Sequence, residues 1–121
     1  MDTKDYERLM QANIERVFNE RDPAKRLKAI SEIYAPDAVL YEPETLASGH
    51  AAISAAVADL QAHMPPDFAF SVSSPALGHH DLGRLRWQGK TAAGAVLVNG
   101  MDVAHFNNGV IQSLHVFIEP N

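Results

Sequence analysis

The chain contains no cysteine in its 121 residues. Disulfide frameworks and thiolate chemistry are therefore excluded. It also lacks an excess of basic charge: 10 Lys and Arg stand against 15 Asp and Glu, for a net charge of −5. Nucleic acid finds no basic footprint on such a chain, and an anionic membrane surface repels it. No apolar run approaches the ~20 residues of a membrane-spanning helix. The opening stretch MDTKDYERLMQ is polar and helical in pattern, unlike a signal peptide. Internal repeats and low-complexity linkers are missing as well. These absences predict a cytoplasmic protein that partners neither nucleic acid nor membrane.

What is present suits a domain with a real core. Hydrophobic residues make up 46% of the chain and charged residues 21%. The length fits one domain, residues 1–121. Tyr6, Leu9, Met10, Ile14, Val17 and Phe18 recur at helical spacing and predict an amphipathic helix over 3–20. Asp22-Pro23 opens a second helix, a cap residue followed by proline at the first helical position. It points Leu27, Ile30, Ile33 and Tyr34 inward, and Pro36 is expected to stop it. A short strand follows over 38–42, closed by Pro43. A third helix, about 49–63, carries Ile53, Val57, Leu60 and Met64 on one stripe and ends at Pro65-Pro66.

The period then changes to two. Phe68, Phe70 and Val72 alternate with small residues, predicting a strand over 68–73. A turn is expected at 78–81, strands over 79–88, 95–106 and 110–118, and a hairpin at Asn107-Asn108-Gly109. Three helices, an early short strand and four antiparallel strands read as α+β, with the sheet curled around the helices.

Polar residues in apolar settings mark the candidate site. Asn13 interrupts the apolar stripe of the first helix, one turn from Met10 and one from Val17. Glu42 shares a face with Leu40. Asp102 stands in GMDVAHF, on the strand face of Gly100, Ala104 and Phe106. A carboxylate in a strand is disfavoured, and a buried one is costly unless paired. Converging on an apolar interior, the three describe a small-molecule site. Tyr34, Val57, Leu85, Trp87, Gly100, Leu114, Val116 and Ile118 are the expected lining. Each also has a plainer reading. Asn13 can be a satisfied core amide, Glu42 a solvated carboxylate at a strand end, and Asp102 the partner of Arg84 or Arg86.

The histidines point less clearly to chemistry. His79, His80 and Asp81 sit in a turn, where at most two can bind together, and two ligands are not a metal site. His50, in the first turn of its helix, is placed to face the pocket mouth. Met101, Val103, His105, His115 and Phe117 share the opposite sheet face, where a second subunit is expected.

Three segments together resemble a known superfamily: YAPDAVLYEP at 34–43, SGHAAI at 48–53 and GMDVAHFNNGVIQSLHVF at 100–117. Their order is similar to that of the nuclear transport factor 2-like superfamily. Within it the chain resembles the SnoaL-like polyketide cyclase group, with ketosteroid isomerase as a relative. The resemblance implies three N-terminal helices packed in the concave face of a strongly curved, mainly antiparallel sheet, enclosing a cone-shaped pocket. It says less about activity, because this scaffold hosts isomerases, cyclases, dehydratases, epoxide hydrolases and non-catalytic modules. By similarity to ketosteroid isomerase, Asp102 falls where that family keeps a protonated aspartic acid in its oxyanion hole. Glu42, before Pro43, falls at the carboxylate base, an aspartate there. Asn13 falls at the oxyanion-hole tyrosine, a departure toward a weaker donor. Arg84 with Arg86 departs from the arginine–aspartate pattern of the limonene epoxide hydrolase relatives. The implied chemistry is general acid–base catalysis without cofactor on a hydrophobic carbonyl compound. The alternative is a non-catalytic ligand-binding or dimerisation module.

Overall fold

Asp2 opens the first helix. Its side chain accepts from the Asp5 amide at 3.1 Å, and the Asp5 carboxylate accepts from the Asp2 amide at 2.9 Å. This reciprocal cap satisfies two donors that a helix start leaves open. In the computed structural model, which describes residues 1–120, α1 spans Thr3–Ala12 and buries Tyr6, Leu9 and Met10. The backbone then widens into a π-helical stretch, Asn13–Phe18, with Asn13, Ile14, Val17 and Phe18 buried. The single helix expected over 3–20 is thus two joined segments, and Asn13 sits at the junction.

Asp22 caps α2 (Pro23–Ile33) by accepting from the Ala24 amide at 3.0 Å. The helix ends before Pro36, because Tyr34 already has extended backbone, φ −108° and ψ 145°. Tyr34 therefore begins β1 (Tyr34–Tyr41) instead of closing the helix. Pro36 lies inside that strand, where pairing with the last strand is irregular between Tyr34 and Val39. A proline is tolerated there because the ladder is already interrupted. A short strand absent from the expectation, β2 (Leu46–Ser48), pairs antiparallel with β1. Gly49, at φ 87°, then turns the chain into α3 (His50–Ala62).

The remaining strands are β3 (Ala69–His79), β4 (Leu82–Lys90), β5 (Val96–Asn107) and β6 (Val110–Glu119). β3 runs well past the expected end at 73, with pairing irregularities on both sides of Ser74. Two-residue turns join β3 to β4 and β5 to β6. His80 and Asp81 in the first, and Asn108 and Gly109 in the second, have positive φ. The sheet order is β2-β1-β6-β5-β4-β3, with β1 parallel to β6 and the other pairs antiparallel. The result is one curved, open, mixed sheet with the helices against its inner face.

Strand phase decides what is inside. On β5, Gly100, Asp102, Ala104 and Phe106 are buried, while His105 is exposed. Phe70 contacts Phe18, Phe68 and Trp87 edge-on, with centroids 5.0 to 6.0 Å apart. Gly100 is required by this packing: a Cβ there would lie 2.2 Å from the Trp87 indole. Arg26 is buried in α2 and braces the helical layer. It donates to Ser54 Oγ at 3.0 Å, the Glu20 carbonyl at 2.8 Å and Gln61 Oε1 at 3.1 Å.

Candidate functional site

The register of β4 against β5 builds the centre of the site. Trp87 pairs with Gly100 and Leu85 with Asp102. The missing side chain at Gly100 lets the indole lie across β5, and its Nε1 donates to Asp102 Oδ1 at 2.9 Å. Asp102 is 3% exposed, and neither Arg84 nor Arg86 pairs with it. Both arginines lie on the outward phase of β4, where Arg86 meets Glu119 at 2.6 Å. With only one neutral donor on its carboxyl, burial dominates, and the pKa of Asp102 is pushed up to about 7.

Asp102 and Glu42 line the same cavity, of about 70 Å³. Its other walls are apolar, including Ile14, Phe18, Leu60 and Phe70. Of the expected lining, Trp87, Val116 and Ile118 reach the cavity surface. Tyr34, Val57, Leu85, Gly100 and Leu114 are not on its wall and belong to the packed layer around it. Glu42 follows the end of β1 and is half-buried at the mouth. It also borders two surface hollows, of about 450 and 320 Å³. Partial burial raises its pKa, and the Asp59 carboxylate raises it further. Burial leads at both carboxyls, and the carboxylate felt by Glu42 is Asp59.

Asn13 is 1% exposed but is not on the cavity wall. Its Oδ1 accepts from the Tyr34 hydroxyl at 2.5 Å. Tyr34 is itself fully buried, and its pKa is raised by burial first and by the charge of Asp102 second. A polar string thus runs behind the apolar lining, from Asn13 through Tyr34 toward Asp102 and Trp87. The sequence marks Tyr34 and Trp87 as lining but not their polar roles: the helical period assigns Tyr34 to the second helix, and the Trp87 donor requires the β4–β5 register. The glycine at 100, opposite the chain's single tryptophan, was the available signal for the second.

His50 does not face the mouth. Its Nε2 lies 3.1 and 2.9 Å from the carbonyl oxygens of Tyr34 and Ala35, tying α3 to the start of β1. Among the described residues no three His, Asp or Glu side chains group to hold a metal. None of the described helices is long and apolar enough to cross a membrane.

This arrangement has a proton donor or acceptor at the cavity floor, a second carboxylate at its mouth and apolar walls between them. It can move a proton on a small apolar molecule held between the two.

Solved structures share the fold. A candidate isomerase of the SnoaL-like family from Agrobacterium tumefaciens superposes with a TM-score of 0.89 at 20% identity, covering 97% of this chain and 99% of that one. A candidate ketosteroid isomerase from Kribbella flavida gives 0.72 at 13% identity, over 99% and 82% of the two chains. A candidate polyketide cyclase from Sinorhizobium meliloti gives 0.71 at 16% identity, over 96% and 99%. At these identities the likeness is one of fold. No curated protein matches the chain in sequence. The model of the SnoaL-like domain matches residues 11–114, from the end of α1 to the middle of β6, and the chain belongs to that family.

Proposed function

We propose that this protein is a cofactor-independent general acid–base enzyme of isomerase, cyclase or dehydratase type. Its substrate is a hydrophobic carbonyl compound, and its setting is the cytoplasm. The observation that carries this reading is Asp102: nearly inaccessible, held by one indole N–H and facing an apolar cavity, where burial pushes its pKa up to about 7. Trp87 occupies Oδ1, which leaves Oδ2 as the oxygen for a substrate. Protonated there, Asp102 donates to a carbonyl oxygen as it gains charge. Glu42, ionised at the mouth, takes the proton from the adjacent carbon. Ile14, Phe18 and Phe70 keep that exchange out of bulk water.

The sign of the pH dependence follows. The donor is present below about pH 7 and is lost as Asp102 ionises above it. The base is lost as pH falls through the raised pKa of Glu42, above the ordinary 4.5. Activity is therefore bell-shaped, with its upper limb near 7.

The test is solvent deuterium exchange at the carbon next to the carbonyl of small cyclic enones, followed by proton NMR. The native chain should accelerate exchange, and Asp102→Asn should lower the rate roughly a hundredfold or more. Enones that bind without exchanging would favour the second reading, a ligand-binding module on the same scaffold. The observation behind that reading is the half-exposed position of Glu42.

A further inference from the structure

The cavity at Asp102 is graded from floor to mouth. Ile14, Phe18, Phe70 and Trp87 are buried around the carboxyl, while Glu42, Leu60 and Met64 are only partly covered at the open end. Its volume of about 70 Å³ is about half of the ~150 Å³ in which an engineered apolar cavity holds one benzene. A six-membered ring therefore enters by one edge only. With its carbonyl oxygen at Asp102, its far edge reaches the mouth.

The side chains at the mouth then decide what else a substrate can carry. Beside it lies the surface hollow of about 450 Å³, roomy enough for the rest of a larger molecule. Two residues line both spaces, Glu42 and Leu60. Glu42 is the proposed base. Leu60 is the apolar side chain between the two spaces, in the last turn of α3. It does not swing aside with its helix, because the next residue is pinned. Gln61 donates to the Phe18 and Glu20 carbonyls at 3.0 and 2.9 Å and accepts from Arg26 at 3.1 Å. On another side the wall is Val116 and Ile118, whose backbones the β5–β6 ladder holds beside Asp102 and Gly100. Met64 is unbranched and can fold away, so it sets no fixed limit. Leu60 is thus the partition between cavity and hollow.

We propose that Leu60 is the specificity-determining residue of this site, and that it restricts the site to carbonyl compounds of one ring or a short chain by barring a fused second ring from the hollow. The assignment rests on the reading of Asp102 and Glu42 as donor and base, which orients the carbonyl inward. An apolar wall discriminates against a single extra methylene by roughly 10–200-fold, and a fused ring exceeds the space by several carbons.

The test is a nitrogen-15 NMR titration of the full chain, read at the indole N–H of Trp87, the chain's single tryptophan and the donor to Asp102. The probes are cyclohexenone and its fused bicyclic counterpart, hexahydronaphthalenone. Cyclohexenone should move the indole signal saturably in the native chain, and the bicyclic enone should bind roughly tenfold more weakly or worse. Leu60→Ala should erase that preference by tightening the bicyclic enone roughly tenfold or more. Leu60→Phe, which adds bulk at the same place, should weaken cyclohexenone as well. Equal binding of the two enones by the native chain would overturn the proposal, and this arm needs no variant. A preference left unchanged by both substitutions would overturn it too, as would an indole signal that neither enone moves at millimolar concentration. Binding is read without turnover, which separates this proposal from the acid–base reading beneath it. A size limit obeyed by enones that exchange no deuterium would keep Leu60 in its role and remove the acid–base assignment. Deuterium exchange equally fast on the bicyclic enone would do the reverse.

Discussion

Asp102 carries a stability cost that follows from its burial. Its carboxyl has an ordinary pKa of 3.8 in the unfolded chain and titrates at about 7 in the fold. The native state therefore binds the extra proton between those values. Stability is fully present below about pH 4 and declines as pH rises through 7. At ~1.4 kcal/mol per pH unit, the ceiling on that loss is on the order of 4 kcal/mol. Asp102→Asn removes the ionisation and keeps an oxygen for Trp87 to donate to. Thermal denaturation should show this variant more stable than the native chain at pH 8 and no more stable at pH 4. A stability difference independent of pH would remove the basis for a buried acid. The chain's single tryptophan gives a second readout, because the Trp87 N–H touches the titrating group. Indole emission should shift with a midpoint near 7 and lose that transition in Asp102→Asn. At this scale the sequence revealed the inward phase of Asp102, since period-two alternation places Gly100, Ala104 and Phe106 beside it. It concealed the donor, because the Trp87–Gly100 pairing depends on strand register. Arg26 was concealed for a related reason: its three acceptors lie on the chain from Glu20 to Gln61, and only tertiary packing gathers them.

Elements are held by a few polar anchors as much as by apolar faces. Asn19, just past the π-helical stretch, exchanges two hydrogen bonds with the Phe70 backbone, both at 2.8 Å. It thereby fixes the first helical layer to β3 beside the cavity. Arg26 and Gln61 fix the same region from the other side, since both donate to the Glu20 carbonyl. Arg26→Met keeps the packing of the stem but strips donors from Ser54, Glu20 and Gln61. Urea denaturation should show a loss of roughly 2–4 kcal/mol. A loss under about 0.5 kcal/mol would place Arg26 among ordinary surface charges. The elements legible in advance were those with long, clean periods: α3 and the β5–β6 hairpin fell within a residue or two of expectation. The failures have local causes. Pro36 looked like a helix stop but lies within a strand whose ladder is interrupted there. β2 is too short for alternation to show. The π-helical widening after Ala12 keeps the same residues inward, so the apolar stripe alone cannot distinguish it from α-helix.

The molecule as a whole has one face that its own chain does not cover. The helices fill the inside of the sheet, while the outer face of β5 and β6 carries Met101, Val103, His105, His115 and Phe117. Register sets Met101 beside Phe117 and Val103 beside His115, which continues the patch as a ring stack on Tyr41 with centroids 4.5 Å apart. Phe117 is 49% exposed at its centre. We propose that two copies pair through this patch, because a contiguous apolar area on a sheet face is the usual mark of an interface. A two-fold contact buries Phe117 from both copies, at roughly 1.5–3 kcal/mol each. Phe117→Glu should therefore weaken pairing by about a hundredfold or more. Sedimentation velocity at micromolar concentration should show a dimer for the native chain and a monomer for the variant, with unchanged circular dichroism. The inward cavity is built without this face, so the Trp87 emission transition near pH 7 should survive in the monomeric variant. A native chain that sediments as a monomer at those concentrations would overturn the pairing and leave the outer face of β5 and β6 as solvent-facing sheet.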